Sequence, residues 1–210
     1  MRNLLRGLLL ILAGLLLASA QPQSGKPGNF DYYLFTLSWS PEYCHSHRDA
    51  VECGGGNHYG FIVHGLWPQF SDGRYPEHCS NEPAPDNPAS VSVIMPDPSL
   101  IRHEWTTHGT CSGLNADQYF LLIRMIFYSI RIPEQFTRPT QIQNLRPAEV
   151  KRAFEQSNPQ LSDDSIAVNC PQNFLSGVQI CVMKDGAPLH CPANSVRDCR
   201  ARNISIPPVR

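Results

Sequence analysis

An α+β fold in a single domain is what this chain predicts, and three observations carry the prediction. Strand-like runs lie near residues 30–40, 60–67 and 165–191, while helical patterns occupy the stretch between, so the two classes are segregated and not alternating. With 210 residues, 41% of them hydrophobic and 17% charged, the chain is apolar enough for one core, and a chain of this length buries roughly 70% of its unfolded surface. No internal repeat and no linker divides it, and 19 prolines exclude a coiled coil.

The first twenty residues read as a secretory signal. Arg2 and Arg6 precede an apolar run from Gly7 to Leu17, and Ala18-Ser19-Ala20 is a small-residue cleavage site. The run is shorter than the ~20 residues needed to span a bilayer. Cleavage after Ala20 predicts a secreted or periplasmic protein, free of the membrane, with 15 Lys and Arg against 18 Asp and Glu. That balance excludes a protein that grips nucleic acid by bulk positive charge. Eight histidines nevertheless add positive charge as pH falls through about 6.5.

Residues 21–29 are polar and rich in Gly and Pro, a mobile leader. Phe30 to Ser40, dense in aromatic and β-branched residues and bounded by Pro41, reads as a buried strand. Gly60 to Trp67 reads as a second strand, ended by Pro68. Ser71 to Pro98, with six prolines, is a loop too long for a simple connector and therefore functional or disulfide-tethered. Ser99 is placed to cap a short helix through His108. Asn115 with Gln118 forms a capping box, and Tyr119 to Ile132 predicts a helix buried almost all round, stopped by Pro133. Pro147 to Gln156 is an amphipathic helix with proline in its first turn. Ser165–Cys170 and Gly177–Met183 read as strands, and an Asp185-Gly186 turn leads to a third, Ala187–Cys191. The domain is expected to end near residue 200, with 201–210 as a C-terminal tail. Asn203-Ile204-Ser205 matches a glycosylation sequon, a weak signal so near a tail.

All eight cysteines (Cys44, Cys53, Cys79, Cys111, Cys170, Cys181, Cys191, Cys199) lie beyond the signal, and an even count in an oxidising compartment predicts four disulfides. A metal cluster fits poorly, because no Cys-x-x-Cys pair exists and Cys44-His45-Ser46-His47 lacks a second half.

Reactive groups concentrate in two segments. In Phe61-Ile62-Val63-His64-Gly65-Leu66-Trp67-Pro68 a histidine sits inside an apolar strand, followed by a glycine that admits close approach. A lone histidine there is most often a hydrogen-bonded core residue. The second segment, His103-Glu104-Trp105-Thr106-Thr107-His108-Gly109-Thr110-Cys111, holds three titratable groups in six residues. A zinc protease needs His-Glu-x-x-His. Here His103 and His108 are five apart, about 140° round a helix, which predicts that they do not converge on one metal. Glu104 and His108, four apart, share a face, so the carboxylate is expected to orient that imidazole and keep its pKa up.

HGLWP and HEWTTHGTC together resemble the two active-site segments of the ribonuclease T2 family, and LFTLSWSPEYC resembles its first core strand. With a similar cysteine pattern, the resemblance spans Phe30 to Cys199. It implies a central antiparallel sheet flanked by helices and the pairs Cys44–Cys53, Cys79–Cys111, Cys170–Cys199 and Cys181–Cys191. It implies RNA as substrate, no cofactor, no metal and a monomer. Position by position, His64 and His108 correspond to the family's general acid–base pair, with His108 assigned as base and His64 as acid. Glu104 would stabilise the phosphorane and support His108, and His103 would bind phosphate. Trp67 and Tyr75 stand where the family stacks bases, and Gln69 where some members read a base with aspartate. The residues agree on their own terms: attack by the substrate's 2′-OH needs two proton-transfer groups and an anion stabiliser, not a metal.

Thr107 departs from the family, many of whose members carry lysine there, which leaves Arg74 and Arg102 as candidate cations for the phosphate. His45, His47, His58, His78 and His190 read as solvated, and Trp39 and Trp105 as core. Two rivals stand beside the ribonuclease. A catalytically idle binding protein on the same scaffold is opposed by the intact His64, Glu104 and His108, and a metalloprotease by spacing.

Overall fold

A computed structural model describes residues 25–54, 56, 58–86, 88, 90–193 and 195–209, so the expected signal segment lies outside the described residues. Helices and strands succeed one another as β1 (Tyr32–Trp39), α1 (Ser40–Ser46), β2 (Phe61–Gln69), α2 (Pro98–Thr107), α3 (Ala116–Ser129), β3 (Gln143–Leu145), α4 (Pro147–Ser157), β4 (Ile166–Asn169), β5 (Gly177–Val182) and β6 (Ile204–Ile206). Four of the strands make an antiparallel sheet in the order β2-β1-β5-β4. Alternation along β1 separates its faces. Tyr33, Phe35, Leu37 and Trp39 enter the main core, while Tyr32 and Leu34 pack with Cys181 in a smaller cluster. The main core is closed by Ile101 and Trp105 of α2, Tyr119, Phe120, Ile123 and Ile126 of α3, and Val150 and Phe154 of α4. All four expected disulfides are present with the expected pairing.

Several expectations are corrected. Pro41 does not merely end a strand; it lies in the first turn of α1, where its missing N–H is harmless. β2 runs through Pro68 to Gln69, tolerated because β2 is an edge strand whose outer side needs no sheet partner. The proline-rich loop is tied by Cys79–Cys111, and it also seals that edge: Val63 donates its N–H to Ile94 O (2.9 Å), with Val91, Ile94 and Met95 buried. Asp97, not Ser99, caps α2, accepting the Ser99 N–H at 2.7 Å. The capping box of α3 is as expected, yet the helix buries only one side, leaving Leu121, Met125 and Tyr128 exposed. It ends at Ser129 because Ile130 turns extended ahead of Pro133.

The hairpin after β5 is stapled as anticipated, but its second limb is no strand. Pro188, lacking an N–H, reduces it to an isolated bridge with Val182. Residues 25–29 are held to the body, not loose, for Gly28 donates to Cys111 O at 2.9 Å. The last ten residues are not a tail. Ile204 and Ile206 are buried, β6 pairs with β3, and the Trp39 indole donates to Pro207 O at 3.1 Å. The cause is a period-2 pattern, Ile204-Ser205-Ile206, too short to stand out in the sequence. The domain therefore runs through Val209, whose N–H donates to Pro139 O.

Candidate active site

A β-bulge aims the first histidine. Thr36 pairs with Gly65 and Leu37 with Val63, so His64 is the extra residue on β2, free of the alternation that would fix its direction. Its Nδ1 lies 2.8 Å from Ser38 Oγ on β1, and its Nε2 lies 3.7 Å from Glu104 Oε1. Loss of hydration, then repulsion from His103, holds the His64 imidazole below its ordinary pKa.

Gly65 admits the carboxylate. A Cβ at this position would overlap Glu104 Oε2 and crowd the Trp67 indole nitrogen. Glu104 is fully buried; its Oε2 accepts the Trp67 indole N–H at 2.7 Å, and its Oε1 has no hydrogen-bond partner. Burial pushes this carboxyl up to about 8, with the indole N–H pulling the other way.

His108 stands just past the last turn of α2, its backbone N–H on Glu104 O at 3.0 Å. The ring is buried, its Nδ1 has no partner, and burial, reinforced by His103, His64 and His78, holds the imidazole down to about 3. The expectation that Glu104 supports His108 is therefore corrected: the carboxyl faces Trp67 and His64, and His108 is kept neutral, not charged. The i,i+4 backbone geometry holds, since His108 keeps an αR conformation and bonds to Glu104 O, but the carboxyl oxygens turn to Trp67 and His64 instead. The expected divergence of His103 and His108 is overturned, since His103, Glu104 and His108 bring ligand-capable atoms within 4.8 Å of one another. Trp67 organises the centre, its ring 5.6 Å from that of His64 and 5.4 Å from that of His108.

The remaining expected residues gather nearby. Trp67, Gln69, Tyr75, Leu34, Glu77 and His108 line a cavity of about 350 Å³, with Gln69 buried and Tyr75 half exposed. A larger one, about 390 Å³, lies beside Glu52 at the start of α1 and holds none of the expected site residues. His103 is exposed, 3.5 Å through Nδ1 from the buried Thr107 hydroxyl. Arg74 is engaged by Asp72 at 2.8 Å, so that candidate cation is already paired.

Sequence reasoning missed two residues. Ser38 gave no signal, because only the β1–β2 register brings it to His64. His78 is exposed, as expected, but it also stands close enough to His108 to lower its pKa, and its backbone N–H donates to Thr107 O at 2.9 Å. The Cys79–Cys111 pairing was the available clue, since it places His78 beside the end of α2.

These shifts predict a stability profile, with the signs opposed. His108 takes a proton near 6.5 when unfolded but only near 3 when folded, so its contribution is present above 6.5 and lost as pH falls toward 3. Glu104 releases its proton near 4.5 unfolded but near 8 folded, so its contribution is present below 4.5 and lost as pH rises toward 8. Between 4.5 and 6.5 the two slopes cancel, and above that only the Glu104 slope remains. The melting temperature should therefore decline from pH 6.5 to 8.5, and Glu104→Gln should flatten the decline. Calorimetric scans across this range check it, and a flat wild-type profile would count against a buried neutral Glu104.

An α+β domain whose edge strand and neighbouring helix bring two imidazoles to one buried carboxyl belongs to a class with groups able to move protons at one place. Comparison with known proteins agrees with this class. The sequence profile of the Ribonuclease T2 family matches residues 30–191, and the chain belongs to that family. A ribonuclease of Aeromonas hydrophila is 42% identical over 120 residues, 54% of either chain. Ribonuclease DdI of Dictyostelium discoideum is 28% identical over 196 residues, 84% of this chain and 81% of its own. The chain thus spans a little over half the Aeromonas relative. Among solved structures, an RNase-related protein from Calystegia sepium has a TM-score of 0.71 at 23% identity, covering 86% of this chain and 98% of its own. RNase NT, solved in complex with 5′-AMP, has a TM-score of 0.66 at 24% identity, covering 86% and 99%. Both share the fold.

Proposed function

We propose that this protein is a secreted or periplasmic endoribonuclease that cleaves single-stranded RNA by attack of the ribose 2′-OH on the adjacent phosphorus. A 2′,3′-cyclic phosphate forms first and is then hydrolysed to a 3′-phosphate. The observation that carries the reading is a buried carboxyl with one unpartnered oxygen, which lies 3.7 Å from the His64 Nε2, while a carboxyl oxygen is within 4.8 Å of a His108 ring nitrogen. His108, neutral above about 3, takes the 2′-OH proton. His64, oriented by Ser38, gives a proton to the departing 5′-oxygen. Glu104, kept protonated by burial, donates to the phosphorane oxygen, where charge develops. His103 and His78 offer donors to the phosphate, and the cavity of Trp67, Gln69 and Tyr75 takes a base. RNase NT, which shares the fold, is solved in complex with a nucleotide, 5′-AMP. Among the described residues no helix is long and apolar enough to cross a membrane.

Digestion of a mixed-sequence RNA tests the mechanism. A cyclic phosphate should precede any 3′-phosphate, DNA and 2′-O-methyl RNA should be inert, and excess chelator should leave cleavage intact. The rate should climb with pH through the His108 value and fall as His64 loses its proton, giving a maximum on the acid side of neutrality. Cleavage of single-stranded DNA at a comparable rate, or an optimum above about pH 8, beyond the imidazole range, would sink the reading.

A further inference from the structure

We propose that the cavity of about 390 Å³ beside Glu52 binds the guanine base of a nucleotide, read by the Glu52 carboxylate and held at its phosphate by Arg48. The cavity has the size of a nucleotide site, since small-ligand pockets run from about 300 to 1,000 Å³. Its place in the sheet ties it to the catalytic centre. Alternation puts Leu34, Ser38 and Ser40 on the side of the β1 chain turned away from the main core, which takes Tyr33, Phe35, Leu37 and Trp39. Leu34 lines the cavity of Trp67 and Tyr75, Ser38 touches the His64 ring, and Ser40 Oγ donates to Glu52 Oε2 at 2.8 Å. The chain is still extended at Trp39, and the Ser40 N–H donates to Gly60 O at 3.0 Å, so Ser40 stands about 7 Å beyond Ser38. Two cavities thus flank His64 along one strand, and a polynucleotide crossing that face meets both.

The lining selects the base. Glu52 is buried, the Cys44–Cys53 disulfide fastens its neighbour to α1, and among the described residues only Ser40 donates to its carboxyl. Burial raises this carboxyl, so a group short of donors faces the cavity. A carboxylate holding one donor keeps lone pairs on both oxygens. Guanine is the base whose Watson–Crick edge presents two adjacent N–H donors, and it fills them. Adenine and cytosine set an acceptor beside their one amino group, and uracil sets two around its N–H, so each meets the carboxylate with a repelled lone pair. Tyr59 and Pro207 supply faces for the ring. Arg48 is exposed and has no acidic partner among the described residues, which leaves its guanidinium for phosphate. That an RNA strand delivers the guanine rests on the proposed ribonuclease reading; the cavity and its carboxyl do not.

The test is calorimetric titration of the full protein with 5′-GMP, 5′-AMP, 5′-CMP, 5′-UMP and guanosine, without RNA. Glu52→Gln, which puts an amide donor where the carboxylate accepted, should weaken one equivalent of GMP by about tenfold or more and leave the other three nucleotides unchanged. Arg48→Ala, on an exposed side chain, should bring GMP down to the affinity of guanosine and leave guanosine itself unchanged. Asp117→Asn, on the exposed first turn of α3, should alter none of these. No GMP binding at millimolar nucleotide, binding that both Glu52→Gln and Arg48→Ala leave intact, or a loss in Glu52→Gln that is equal for all four nucleotides overturns the site. Cleavage then tests the path of the strand. Dinucleotides whose leaving nucleoside is guanosine should show a lower KM than those that release adenosine, and Glu52→Gln should erase the difference. Equal KM values in the native chain overturn the placement on the leaving side. A chain that binds GMP through Glu52 but never cleaves RNA upholds the cavity while removing the ribonuclease reading, so the two fail separately.

Discussion

Replacing His108 by alanine should lower the rate of the proposed RNA cleavage by about 10²–10⁴-fold, and His64→Ala should do the same, the usual share of a general acid or base. The two losses do not multiply. Each imidazole serves one proton transfer of a single displacement, so the double variant should lose little more than the worse single one. The pH profile separates the roles. Without His108 the limb that rises through its value near 3 should disappear, and without His64 the falling limb should go. Stability argues in the opposite direction to activity for His108: its ring is a buried, unpartnered group whose removal relieves an acid-labile site, so His108→Ala should melt no lower at pH 4 than the native chain. Steady-state rates with a fluorogenic dinucleotide and thermal scans check both statements. Native turnover in His108→Ala would end this account of the centre.

Gly65→Ala should be nearly as damaging, although this residue touches no substrate. Its Cβ would occupy the space of the Glu104 carboxylate and press on the Trp67 indole nitrogen, breaking the 2.7 Å hydrogen bond between them. Overpacking of this kind costs about 1–3 kcal/mol. Displacing a reacting group by about an ångström costs on the order of 10²-fold in rate. The variant should therefore fold, melt several degrees lower and turn over at least 10²-fold more slowly. Adding Glu104→Gly should restore the melting temperature by vacating the contested volume, without restoring activity. Wild-type turnover in Gly65→Ala would show that the carboxyl need not lie against β2.

Much of this architecture was legible because it rests on local chemistry. Aromatic and β-branched density marked β1, β2 and β5, and the Asn115–Gln118 pair marked the start of α3. The pairing of the cysteines came from family resemblance, not from spacing, as did the roles proposed for His64, Glu104 and His108. What stayed hidden depends on contacts between distant segments. The bulge at His64 exists only in the register between two strands, and the Ser38 contact follows from it. The helical wheel put Glu104 and His108 on one face but could not show that the carboxyl turns to Trp67 and His64, which lie on another element. The three residues of β6 carry too few alternations to read as a strand, and only their burial against β3 and Trp39 gives them their place.

That closing strand sets an order of events in the life of the chain. The indole of Trp39, in the first strand, is capped by the carbonyl of Pro207, and Ile204 and Ile206 complete a core begun more than a hundred residues earlier. A domain whose opening strand is sealed by residues 204–207 cannot finish folding until that segment has been made. The strand beside His64 therefore lacks its last packing partner until residues well over a hundred positions downstream have emerged.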